Sequence, residues 1–180
     1  MKCCLSSCDE INHVEARVNV DIDSCVQAHV MLESQLPPVE RVFFYDFPHQ
    51  PSLFYDTILP KLKHFLSLAL AYYFPLAGTL TWPHHSNKPI ITYNVGDDTL
   101  SLIVAESDAD FHHLSGSKLS GASEVHHLVP ELTVSDDQAT VLALQVTLFP
   151  THGFSIGVTS HHAVLDGKTS TSFCEDSGTY

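Results

Sequence analysis

A chain of 180 residues with 44% hydrophobic residues can bury one sizeable core, and its length suits a single domain or one lobe of a larger protein. Only 16% of the residues are charged, so the low-hydrophobicity signature of a disordered chain is absent. Eight Lys and Arg against 21 Asp and Glu give a net charge of −13, a field that repels a phosphate backbone and argues against nucleic acid as a partner.

Residues 1–35 show no clear period and are left unassigned. They hold Cys3, Cys4, Cys8 and Cys25, while Cys174 stands alone near the other end. An odd count of five without a C-x-x-C pair reads as reduced thiols in a cytoplasmic protein. The opening, MKCCLSSCDE, lacks the apolar core of a secretory leader. From Leu36 the character changes. Pro37 and Pro38 lead into Val39-Glu40-Arg41-Val42-Phe43-Phe44-Tyr45, whose β-branched and aromatic residues favour a strand. After the turn-prone Pro48 to Pro51, apolar residues at Ile58, Leu62, Phe65, Ala69 and Tyr72 recur at helical spacing and predict one buried helix face. Pro60 is tolerated only near the start of that helix, and Pro75 ends it. The apolar run from Phe65 to Gly78 is shorter than the roughly 20 residues that span a bilayer, so no membrane partner is expected.

Further along, Pro89 to Val95, a turn at Asp97-Asp98, and alternating Leu100, Leu102 and Val104 predict a hairpin with one buried face. Residues 106–138 carry weak signals. Leu142, Leu144, Val146 and Leu148 alternate, Pro150-Thr151-His152-Gly153 turns the chain, and Phe154, Ile156 and Val158 alternate again. This second hairpin delivers the chain to His161-His162-Ala163-Val164-Leu165-Asp166-Gly167. Loops held at the ends of buried strands are where catalytic groups commonly sit. The strand from Phe154 to Ser160 is therefore expected to be central, with His162 in a loop at its end.

That loop carries the chemistry. A hydroxyl attacking a thioester carbonyl must lose a proton, and imidazole is the side chain best matched to accept it near neutral pH. His162 is the candidate base. Holding it in one rotamer calls for a tight loop, and Asp166 and Gly167 supply a carboxylate that can bond backbone N–H groups and a residue free to adopt positive φ.

The sequence resembles the BAHD acyltransferases of plants, and within them the group that malonylates flavonoid and phenolic glucosides. The stretches that carry the likeness are LPPVERVFFY from Leu36, ILPKLKHFLSLAL from Ile58, FPLAGTL from Phe74, SDADF from Ser107, LVPEL from Leu128, LFPTHGFSIGVT from Leu148 and the H-H-x-x-x-D-G string from His161. The resemblance implies an α/β protein, with a mixed sheet and flanking helices. This would be one lobe of the two-lobed, chloramphenicol acetyltransferase-like fold of coenzyme A-dependent acyltransferases. It divides the chain into an atypical N-terminal segment (1–35), an N-terminal acyltransferase lobe ending in the motif (36–173) and an atypical tail (174–180). It implies acyl-CoA, malonyl-CoA in this group, as co-substrate with no permanently bound cofactor, and a phenolic or flavonoid glucoside as acceptor. His162 would be the base and Asp166, with Gly167 and His161, a structural part of the motif. In the family that Asp pairs with an Arg from later in the chain, whereas here the only arginines are Arg17 and Arg41. The family's Asp-Phe-Gly-Trp-Gly string does not occur, nor does its second lobe, which supplies most coenzyme A contacts; no residue here is assigned to coenzyme A. The expectation is a fragment that is inactive alone and self-associates through the face its second lobe would cover.

Simpler readings stand beside these. His161 is expected to pack or to bond backbone. A zinc site of His161, His162 and Asp166 is disfavoured, and so is chelation by the pairs His84-His85, His112-His113 and His126-His127, which read as solvated loops. Lys168 reads as an exposed residue at a helix start. Ser160 and Ser170 lack the G-x-S-x-G elbow of a serine hydrolase. The alternative to an enzyme is a non-catalytic truncated relative acting as an interaction module.

Overall fold

The computed structural model describes residues 14–19, 26–29, 37–83, 89–94, 98–116, 121–135 and 137–161, with the first two segments described as backbone. Among the described residues nine strands form two sheets. The strands are β1 (Val14–Asn19), β2 (Val26–His29), β3 (Val39–Asp46), β4 (Thr79–Thr81), β5 (Ile90–Tyr93), β6 (Thr99–Glu106), β7 (Gln138–Thr140), β8 (Leu142–Phe149) and β9 (Gly153–Ser160). A five-stranded sheet has the order β1-β6-β8-β9-β3 and a four-stranded sheet the order β2-β5-β4-β7. The larger sheet is mixed, because β6 and β8 run parallel while its other pairs are antiparallel.

The β8–β9 hairpin forms as its alternation predicts. Its register runs from Leu142 opposite Ser160 to Phe149 opposite Gly153, which leaves Pro150-Thr151-His152 as the loop. Thr151 takes the positive φ of 65° that such a tight loop demands. All eight residues of β8 are buried, as expected for a strand covered on both faces. β9 lies between β8 and β3 and is an interior strand, as the sequence indicated.

The two faces of the larger sheet differ. Leu100, Leu102 and Val104 of β6, Leu142, Leu144, Val146 and Leu148 of β8, and Val158 of β9 enter the main core. There they meet helix α2 (Leu59–Tyr72) and the four-stranded sheet through Leu66, Leu70, Leu80 and Ile91. Each fully buried Leu of this set contributes about 1.5–3 kcal/mol relative to an exposed one. The other face carries a smaller cluster of Phe111, Leu114, Leu128 and Phe149. It is covered by helix α3 (Phe111–Ser115) and by the irregular chain that follows, with its two short 3-10 turns, Ala122–Glu124 and His126–Leu128.

Helical backbone begins earlier than the apolar periodicity indicates. A single turn, α1 (Pro51–Leu53), and a π-turn (Phe54–Ile58) precede α2 without a break. Pro60 lies in the first turn of α2, directly after the π-turn, whose wider spacing suits a residue that cannot donate the usual i−4 bond. The helix ends at Tyr72, ahead of Pro75, as expected.

Two expectations are corrected. Tyr72 is not on the buried face: it is 85% exposed, and Leu59, Leu66, Ala69 and Leu70 form the buried stripe instead. Residues 89–104 are not a hairpin. β5 pairs with β2 and β4 in the smaller sheet, while β6 pairs with β1 and β8 in the larger one. The Asp98 carboxylate accepts bonds from the Asn94 backbone N–H (2.6 Å) and side-chain amide (3.2 Å), fixing a turn that passes the chain between sheets. Gly78 allows β4 and β5 to meet, since a Cβ there would lie 2.6 Å from the Thr92 carbonyl oxygen.

Candidate active site

β9 ends at Ser160, which is opposite Val39 on one side and Leu142 on the other. Thr159 and Ser160 are both buried, so the strand stays inside the protein up to its last residue. His161 follows, and its backbone N–H donates to the carbonyl of Val141 at 2.9 Å. Its ring lies 5.9 Å from the Trp82 ring at an interplanar angle of 59°. Trp82 leaves β4 and is itself tied down by its backbone N–H, which donates to the Asp137 carbonyl at 2.9 Å. The residue before His162 is thus anchored where the two sheets meet.

His162, Asp166 and Gly167 lie outside the described residues, as does Lys168. His161 is the one motif residue whose surroundings are described, and it bonds backbone and packs against an aromatic ring. Trp82 was not singled out by sequence reasoning. Its signal was weak but present, since it is the only Trp in the chain and directly follows Thr79-Leu80-Thr81, a short stretch with two β-branched residues.

At the opposite end of β9, roughly 26 Å away at about 3.3 Å per residue, lies a half-open depression of about 470 Å³. It is lined by Ser107, Asp108, Asp110, Phe111, Phe149 and His152, among others. None of its lining belongs to the motif. Among the described residues no group of three or more His, Cys, Asp or Glu could hold a metal ion. His112, His113, His126 and His127 are exposed, but they sit on α3 and on a 3-10 turn rather than in plain loops. No helix among the described residues is long and apolar enough to cross a membrane.

One further group near the sheet is perturbed. The Tyr55 hydroxyl donates to Glu106 Oε1 at 2.7 Å, and its pKa is pushed up to about 12, by burial first and by the Glu106 carboxylate second. This bond ties the π-turn to the end of β6.

The mixed α/β arrangement has the coenzyme A-dependent acyltransferase fold, which solved structures share. The crystal structure of vinorine synthase superposes with a TM-score of 0.68 at 19% identity, covering 91% of this chain and 41% of that one. The crystal structure of Fusarium sporotrichioides TRI101 complexed with coenzyme A and T-2 gives 0.61 at 19% identity, covering 84% and 38%. The Transferase family model matches residues 31–179, and the chain belongs to that family, the BAHD acyltransferases. It is 54% identical over 140 residues to malonyl-CoA:anthocyanidin 5-O-glucoside-6''-O-malonyltransferase of Arabidopsis thaliana, covering 77% of this chain and 30% of the relative. Phenolic glucoside malonyltransferase 2 of Arabidopsis thaliana is also 54% identical, over 138 residues, with 76% and 30% covered. The chain therefore spans about 30% of the length of these curated relatives.

Proposed function

We propose that this chain is the N-terminal lobe of an acyltransferase that moves a malonyl group from malonyl-CoA to a sugar hydroxyl of a flavonoid or phenolic glucoside, with His162 as the base. The observation that carries the reading is the 54% identity to a glucoside malonyltransferase over 140 residues that extend over most of this chain. In the step proposed, the His162 imidazole takes the acceptor's proton and the freed oxygen attacks the thioester carbonyl. The C–S bond then breaks, and the imidazolium returns the proton to the departing thiolate. General-base help of this kind contributes about 10²–10⁴ in rate.

The structure supports this role through what precedes the motif. β9 is pinned on both sides, and the bond from His161 N–H to the Val141 carbonyl fixes the point from which the loop departs. A base carried by the residue after such an anchor would lose little entropy on meeting its substrates. Asp166 and Gly167 are proposed to shape the loop, and His161 to pack within it. A cytoplasmic location is proposed on the odd cysteine count without a C-x-x-C pair. The 180 residues alone are proposed to lack turnover, because a channel closed from one side only neither aligns two substrates nor excludes water.

The test extends the chain with the C-terminal part of a malonyltransferase relative and assays it with malonyl-CoA and a flavonoid glucoside. Malonyl transfer is expected, with His162→Ala lowering kcat by about 10²–10⁴-fold. Undiminished turnover by the Ala variant would remove His162 from the role. Transfer only from other acyl-CoA donors would keep the base and overturn the malonyl assignment.

A further inference from the structure

Trp82 and His161 follow strands of different sheets, and one short piece of chain brings them together. β4 pairs with β7 from Thr79 opposite Thr140 to Thr81 opposite Gln138, and the bond from the Trp82 N–H to the Asp137 carbonyl, 2.9 Å, carries that ladder one residue further. β7 ends at Thr140 in the smaller sheet and β8 begins at Leu142 in the larger one, so the chain passes between the sheets on Val141. Val141 is fully buried, and its carbonyl accepts the His161 N–H at 2.9 Å. That bond extends the β8–β9 register, in which Leu142 is opposite Ser160, by one residue. Each ladder thus runs one step past its strands, and the two meet at the crossover.

The indole is placed to use that junction. Side chains alternate along a strand, so Trp82 falls on the same side as Leu80, which is fully buried in the main core. Trp82 is partly buried and packs against that core. Its ring also meets the His161 ring, with centroids 5.9 Å apart at 59°, inside the roughly 4.5–7 Å range over which aromatic pairs attract. The bond to Val141 holds the His161 nitrogen but leaves rotation about its N–Cα bond open. Contact with Trp82 closes that freedom, because it holds the ring and with it the Cβ. Angles at the tetrahedral Cα are stiff, so once the nitrogen and the Cβ are held, the bond to the carbonyl that leads to His162 has its direction fixed as well.

We propose that Trp82 is a positioning residue for the acyl transfer: its indole holds the His161 imidazole and thereby sets the direction in which the chain leaves β9 toward His162. The proposal rests on His162 being the base. In this role Trp82 acts through His161 rather than on either substrate. It governs how often the base stands where the acceptor's proton is taken, so its loss lowers kcat and leaves substrate binding unchanged.

Two measurements test it. Carbethoxylation of histidines by diethyl pyrocarbonate, read by mass spectrometry on the 180-residue chain, reports the contact. His161 should react about 3–10-fold faster in Trp82→Leu, which keeps apolar bulk, and within about twofold of the unaltered rate in Trp82→Phe, which keeps a ring. The exposed His112 and His126 are internal references whose rates should not change. The second measurement uses the chain extended with the C-terminal part of a malonyltransferase relative, with rates expressed per folded enzyme from circular dichroism. Trp82→Leu should lower kcat by about 3–10-fold with KM for both substrates within about twofold, and Trp82→Phe should bring kcat back to within about twofold. An unchanged His161 rate in Trp82→Leu, an undiminished kcat, a KM that rises with the loss, or no rescue by Phe would each overturn the proposal while leaving His162 as the base. Full turnover by His162→Ala, or no transfer by the unaltered extended chain, would overturn the reading of His162 and this proposal with it.

Discussion

Replacing Gly157 by Ala should cost about 3 kcal/mol of folding stability, and the reasoning can be followed atom by atom. The added Cβ would overlap the Leu128 carbonyl oxygen and lie 2.9 Å from its carbon and 3.0 Å from Val129 Cα. All three are backbone atoms, so no flexible side-chain end can swing aside. β9 cannot retreat either, because β8 and β3 hold it from both sides over eight residues each. The segment carrying Leu128 and Val129 must lift instead. Overpacking of this type costs about 1–3 kcal/mol, and the absence of a yielding partner places it at the upper end. Lifting also strains the bond from Gln145 to the His127 carbonyl, worth about 1 kcal/mol. Against this, Ala restricts the unfolded chain and returns about 0.4–1 kcal/mol. Urea denaturation followed by circular dichroism gives the comparison, with Gly121→Ala as control. At Gly121 a Cβ would meet only Ser123 Oγ at 3.7 Å, an ordinary contact, and stability should stay within about 0.5 kcal/mol. If Gly157→Ala is as stable as that control, Leu128 and Val129 do not press on β9 as described.

Two more outcomes are expected. Burial, and then the Glu106 carboxylate, push the Tyr55 hydroxyl from its ordinary range near 10 up to about 12, so its contribution to stability is complete below about pH 10 and is lost as pH climbs toward 12. Phenolate absorbance should show a late-titrating component, and Tyr55→Phe should reduce it by one tyrosine; no reduction would assign it elsewhere. The isolated 180-residue chain should self-associate, because β3 is an outer strand among the described residues, and Tyr45, Tyr72 and Leu68 are 42%, 85% and 50% exposed. A single monomeric mass across a range of concentrations in light scattering would refute this.

The sequence by itself determined the elements whose signals are local. β3, the β8–β9 hairpin and the end of α2 before Pro75 could be read directly, because alternation, β-branched runs and proline act over a few residues. So could the placement of His161 just beyond a buried strand. Only the tertiary structure decided which strands pair. β5 and β6 carry alternation on both sides of a turn and look like a hairpin, yet each buries its apolar side chains better in a separate sheet, and the Asn94–Asp98 bonds stabilise the crossing. In β1, Val14, Ala16 and Val18 alternate within a segment that otherwise lacks a period, and pairing with β6 makes it a strand. The orientation of α2 was likewise set from outside the helix: apolar residues ring much of its circumference, and the sheets it packs on select Leu66 and Leu70 for burial and leave Tyr72 in water. Gly157 shows the same limit, since a glycine between Ile156 and Val158 looks like a weak point in a strand until the Leu128 carbonyl is seen pressed against it. Periodicity records which side chains want to be buried, but the partner that buries them is distant in the chain, and the choice among partners rests on total packing that no local window contains.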